Sequence, residues 1–66
     1  MSATLTIPLW KAVYVLHDSK GSLIDSKFEI EVEGKTRFDA MLNGADEVLN
    51  RRPDAAKAVC SLIVRK

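Results

Sequence analysis

Apolar and polar positions along the chain fall into three patterns, and each predicts a different element. Leu9 to Leu16 reads Leu-Trp-Lys-Ala-Val-Tyr-Val-Leu, apolar everywhere except Lys11. Aromatic and β-branched residues dominate its second half, which favours a strand over a helix. A strand that is apolar on both faces has to be covered on both, so it belongs at the centre of a small sheet. Trp10, Ala12, Tyr14 and Leu16 lie on one face, and Leu9, Lys11, Val13, Val15 and His17 on the other. His17-Asp18-Ser19-Lys20-Gly21-Ser22 follows. There Asp and Ser enter a turn and Gly21 takes the left-handed position that closes a hairpin with a bulge.

The second pattern is strict alternation. Between Leu23 and Glu33 the residues Phe28, Ile30 and Val32 face inward, while Lys27, Glu29, Glu31 and Glu33 face water. This predicts a strand with one buried face, and its row of carboxylates discourages edge-to-edge pairing with another chain. After Gly34-Lys35 the period lengthens to that of a helix. Phe38, Met41, Leu42, Ala45, Val48 and Leu49 form one stripe, with Asp39, Asn43, Asp46 and Asn50 opposite. Thr36 is the expected N-cap, with Asp39 at the acidic position of a capping box. Arg51 and Arg52 suit the negative end of the helix dipole, and Pro53 stops the helix. Gly44 would weaken the helix by about 1 kcal/mol relative to alanine unless it permits a close approach to the sheet. A connector, Pro53 to Lys57, leads to a last strand from Ala58 to Val64 that is apolar except at Ser61.

Strand, strand, helix, strand limits the topology. The first two strands are antiparallel, and the helix returns the chain so that the third runs parallel to the second. Placing the third beside the first, through a right-handed crossover, centres the most apolar strand. The expected fold is α+β: a ββαβ domain over residues 9–66, sheet order 2-1-3, one helix on one face, preceded by an arm of residues 1–8. Pro8 suits an edge or bend better than a ladder interior.

One helix leaves one face uncovered. Leu9, Val13 and Val15 share it with residues of the third strand. These are either Val59 and Ile63 or Ala58, Cys60, Leu62 and Val64. Either the arm crosses this face or a second protein copy or another protein covers it. The reading adopted is a homodimer through Leu9, Val13, Val15 and Ile63, with Glu29, Glu31 and Glu33 as a recognition edge for a different partner.

Composition changes this picture little. With 66 residues there is room for one domain, near the lower limit for an unaided core. Ten Lys and Arg against nine Asp and Glu give a net charge of +1, which compels no acidic or nucleic-acid partner. Arg51, Arg52, Lys57, Arg65 and Lys66 would carry the alternative reading, a weak nucleic-acid binder. The single Cys60 has no cysteine to pair with and, with one histidine, cannot complete a zinc site. His17 beside Asp18, with Asp25 across the hairpin, invites a general-base reading, but no nucleophile motif accompanies them. No catalytic residue, cofactor or metal is therefore expected. The first residues have no cationic, apolar leader pattern, and no window approaches the roughly 18 apolar residues of a membrane span. The expectation is a cytoplasmic protein with no membrane contact.

Tyr14-Val15-Leu16-His17-Asp18, Phe28-Glu29-Ile30-Glu31-Val32 and Phe38-Asp39-Ala40 opening an acidic helix together resemble the layout of small phage and mobile-element accessory proteins. Among these are anti-CRISPR and other host-takeover inhibitors. The resemblance implies a non-enzymatic protein that binds and blocks one host protein. It is one of layout and carries no functional residue with it.

Overall fold

The computed structural model describes residues 7–66. Four elements follow in order: β1 (Leu9–His17), β2 (Leu23–Glu33), α1 (Arg37–Arg51) and β3 (Lys57–Arg65). The strands form one sheet in the order β2-β1-β3, with β1 antiparallel to both neighbours. The expected α+β architecture and strand order are those observed. Of the arm, residues 1–6 lie outside the described residues. Pro8, which lacks an N–H, contributes only its carbonyl to the sheet, accepting from Gly34 N at 3.1 Å.

The β1–β2 turn is closed by Asp18. Its carbonyl accepts from Gly21 N, and its carboxylate accepts from the N–H groups of Lys20 and Ser22, both at 2.9 Å. Gly21 sits at φ 85°, the left-handed region that only glycine enters without strain. At the other end of β2, Thr36 caps α1 by accepting from Asp39 N at 3.1 Å.

The core lies between α1 and one face of the sheet. Ala12, Tyr14, Leu16, Ile30, Val32, Ala40, Val48 and Ile63 form it, with Trp10, Phe28, Met41 and Ala45 packed at its border. The helix presents only part of the predicted stripe to the sheet, Val48 with Met41 and Ala45 beside it. Its buried residues are Ala40, Gly44 and Val48, while Phe38 is 63% exposed and Leu42 52%. The reason is Tyr14. Its ring stands up from the central strand, and its hydroxyl donates to the Met41 carbonyl at 2.7 Å. A Cβ at Gly44 would lie 2.1 Å from that hydroxyl oxygen, so glycine allows the ring to reach under the helix. Burial raises the Tyr14 pKa to about 12, with a further push from Cys60 opposite it. Gly34 serves a second close approach, since a Cβ there would lie 2.5 Å from the backbone nitrogen of Ala40. Trp10 seals that end, its indole N–H donating to Gly34 O at 2.9 Å.

β3 belongs to neither of the two alternating sets read from the sequence. Ala12 pairs with Ile63 and Val13 with Leu62, but Tyr14 pairs with Cys60. Ser61 is the extra residue of a bulge, and its hydroxyl donates back to Val13 O at 3.3 Å. Side-chain direction therefore shifts by one midway along the strand. Ala58, Cys60 and Ile63 turn towards the helix, whereas Val59, Leu62 and Val64 turn to the open face. Ile63 is only 6% exposed. Its expected place in a self-association surface is thus corrected: it is a core residue.

Candidate contact surface

The helix leaves one face of the sheet open. On β1 it carries Leu9, Lys11, Val13 and Val15, and on β3 it carries Val59, Leu62 and Val64. Leu62 is 55% exposed, Val64 46% and Val59 42%, while Val13, at the middle of the central strand, is flanked closely enough to be buried. The three β3 residues lie beside the β1 residues in register, Val15 with Val59, Val13 with Leu62 and Lys11 with Val64. They make one apolar column rather than scattered exposure. Of the sequence-predicted set, Leu9, Val13 and Val15 are on this face. Leu62 and Val64 take the place of Ile63, and the lone polar Ser61 in an apolar strand is the signal that marks the bulge responsible.

The β2 third of the same face is charged. Glu33, Glu31 and Glu29 stand opposite Leu9, Lys11 and Val13. Lys11 pairs with Glu29 at 3.3 Å, and Lys66 reaches across Leu9 to pair with Glu31. All these groups are about half exposed, and such pairs contribute about 0–1 kcal/mol each to stability. Their effect is on what this face tolerates next to it. An apolar column bordered by carboxylates accepts apolar side chains over β1 and β3 and repels acidic ones over β2.

The five basic residues of the alternative reading are not brought together. β3 sets Lys57 beside His17 and Arg65 beside Trp10, at opposite ends of a nine-residue strand. Arg51 pairs with Glu47 at 2.8 Å, and Arg52 pairs with Asp54 at 2.9 Å and with Asp25 at 3.5 Å. The Arg52 hydrogen bond holds the Asp54 carboxyl below its usual range, and Asp54 in turn raises the guanidinium of Arg52. Arg65 lies over the Trp10 ring, 6.0 Å from its centroid. Four of the five cations therefore already have a carboxylate or an aromatic ring against them.

Among the residues with chemical potential, the carboxylates take structural roles. Both carboxylates considered near His17 accept backbone N–H groups, Asp18 in the hairpin turn and Asp25 from Lys27 at 2.9 Å. Asp25 also lies opposite Leu16 and reaches Arg52 on the helix side, so it does not join His17. His17 Nδ1 is buried without a hydrogen-bond partner among the described residues. Cys60 is half-buried, its thiol directed at Leu62 O at 3.5 Å. Among the described residues, no three His, Cys, Asp or Glu side chains gather into a metal-binding group, and no helix is long and apolar enough to cross a membrane. Shallow clefts flank the helix, one of about 460 Å³ lined by Ile7, Gly34, Lys35, Asp39, Leu42 and Asn43. No family model, curated protein or solved structure matches the chain.

Proposed function

We propose that the protein is a small, non-enzymatic protein–protein interaction module whose contact surface is the open sheet face. The observation that carries this reading is the set Leu9, Val13, Val15, Val59, Leu62 and Val64, which spans two strands with only Lys11 between them and is exposed along β3. A domain of this size has little apolar surface to spare for its own core, so leaving such residues in water costs stability unless something covers them. The acidic row of Glu29, Glu31 and Glu33 borders the column and selects against acidic partners. The layout shared with phage-type accessory inhibitors agrees with a role in binding and modulating a host protein in the cytoplasm. The separation of Lys57 from Arg65 and Lys66, and the pairing of Arg51 and Arg52, weigh against the nucleic-acid alternative.

The test is differential capture from host lysate. Wild-type protein, a Leu62→Glu/Val64→Glu variant and a charge-reversed Glu29→Lys/Glu31→Lys/Glu33→Lys variant are compared as bait. The reading expects one partner retained by the wild type and lost by the first variant. It also expects weaker or altered retention by the second. Equal capture by all three would overturn it. Retention that collapses with added salt and follows nucleic acid would favour the basic residues instead.

A further inference from the structure

The two edges of the sheet differ as much as its two faces. Along the β2 edge stand Lys27, Glu29, Glu31 and Glu33, and Asp25 interrupts the ladder by taking the Lys27 N–H onto its own carboxylate. This edge is blunted by charge and by irregularity. The adjoining helix flank is polar too: Asn43 donates to Glu33 O at 2.9 Å, and Glu47 and Arg51 continue the row. The β3 edge is the opposite case. Among the described residues β3 is hydrogen-bonded to β1 on one side only, its charges are confined to its ends, and its one irregularity is the bulge at Ser61. With Asn43, Glu47 and Arg51 towards β2, the helix turns Phe38, Met41, Ala45 and Leu49 to the flank away from β2. One side of the molecule thus combines an unpaired strand edge with an apolar helix flank.

We infer that β3 is a self-pairing edge, joining antiparallel to β3 of a second copy to form a six-stranded sheet. Whatever pairs with β3 has to bring a strand and, on the same side, an apolar element to lie beside α1. A copy related by a two-fold axis normal to the sheet brings both, its β3 and its own Phe38 flank. The nine residues of β3 make an edge about 30 Å long, and with the helix above it the side wall is about 20 Å high. That is roughly 600 Å², at the lower end of what each partner of a specific dimer buries. Arg65 lies on the helix side over Trp10 and Lys57 on the open side beside His17, so a regular pairing centres on one side of the Ser61 bulge and does not set these like charges opposite each other. Face-to-face stacking of two copies fits less well. With strands aligned, a two-fold axis sets β2 on the partner's β2, acid against acid, or on the partner's β3, acid against Leu62 and Val64. The edge-paired dimer instead doubles the apolar column and leaves it available to another protein.

Sedimentation equilibrium of the full chain over a concentration series, with Phe38→Glu and Leu9→Glu variants, tests the assignment. Both side chains are exposed, so both variants should keep the wild-type circular dichroism spectrum. The expected result is a dimer weakened at least about tenfold by Phe38→Glu and unchanged by Leu9→Glu. Hydrogen exchange on the wild type should also slow with concentration at the β3 amides that point away from β1, and not along β2. A monomer up to about 1 mM would overturn the inference. So would a dimer lost with Leu9→Glu and kept with Phe38→Glu, which would mean face stacking. Either result leaves the proposed partner contact to be decided by the capture experiment, so the two readings fail separately.

Discussion

The two faces of β1 carry comparable apolar content and meet different fates. Trp10, Ala12, Tyr14 and Leu16 lie under a helix that approaches closely because Ala40 and Gly44 are small. Leu9, Val13 and Val15, with Val59, Leu62 and Val64 beside them, lie on a face that no helix or strand among the described residues covers. Contact with the helix, not hydrophobicity, distinguishes the two sets. In a domain this small, contact geometry and not hydrophobicity tells which apolar residues form the core.

Breaking the covered face should have the largest effect. Leu16→Ala removes a fully buried side chain from the centre of the core and should cost about 3 kcal/mol by denaturant unfolding. For a chain of this length that is a large share of the whole stability. Leu62→Ala on the open face should cost no more than about 0.5 kcal/mol at protein concentrations low enough to prevent association.

Next comes the close approach of helix to sheet. Gly44→Ala gains about 1 kcal/mol of helix propensity but drives a methyl group into Tyr14, and the net loss should be about 2 kcal/mol. Tyr14→Phe alone should cost about 1 kcal/mol for the hydroxyl bond to Met41. The double variant should be more stable than the sum of the two, because removing the hydroxyl removes the nearest clash. Additive losses would mean that the glycine matters for another reason.

The covered face should also respond to alkali. Tyr14 has its pKa raised to about 12 by burial, against about 10 in the unfolded chain. Above pH 10 the unfolded chain gives up a proton that the folded one keeps, so stability falls as pH rises towards 12, by at most about 2.7 kcal/mol. The Tyr14→Phe variant should lose that part of the pH dependence. Smallest of all is the end of the helix. Asp54 titrates below the usual carboxylate range because Arg52 bonds it, so its contribution is present near neutrality and fades as pH falls through that lowered value. Arg52→Gln should flatten this acid limb slightly and leave the neutral-pH midpoint nearly unchanged.

Much of the fold was legible along the chain. The two-residue alternation of β2, the unbroken apolar run of β1, Thr36 as the cap and Pro53 after the helix all stand where the patterns predict. Helix orientation was only partly legible, through Val48, Met41 and Ala45. The apolar stripe weights Phe38 and Leu42 by size, while the structure weights Ala40 and Gly44 by how near the backbone can come to Tyr14. The face of Ile63 was not legible, because a single bulge at Ser61 reverses every side chain beyond it, and periodicity carries no record of one extra residue. The candidate contact surface was therefore half legible. Leu9, Val13 and Val15 follow from the central strand alone, whereas Leu62 and Val64 depend on the bulge. The acidic row was fully legible as an exposed face, since Glu29, Glu31 and Glu33 alternate with core residues.

If the proposal holds, the open face and the β3 side serve contact rather than internal packing. Thermal unfolding of the wild type and of Leu62→Glu/Val64→Glu, each across a protein concentration series, tests it most directly. A folded state that associates gains stability with concentration. The wild-type midpoint should rise with concentration. Because the edge-paired dimer leaves the open face free, the variant should stay within about 0.5 kcal/mol of the wild type when both are dilute. A variant that loses several kcal/mol even when dilute, as a core substitution does, would contradict it and make these residues part of the domain's own interior.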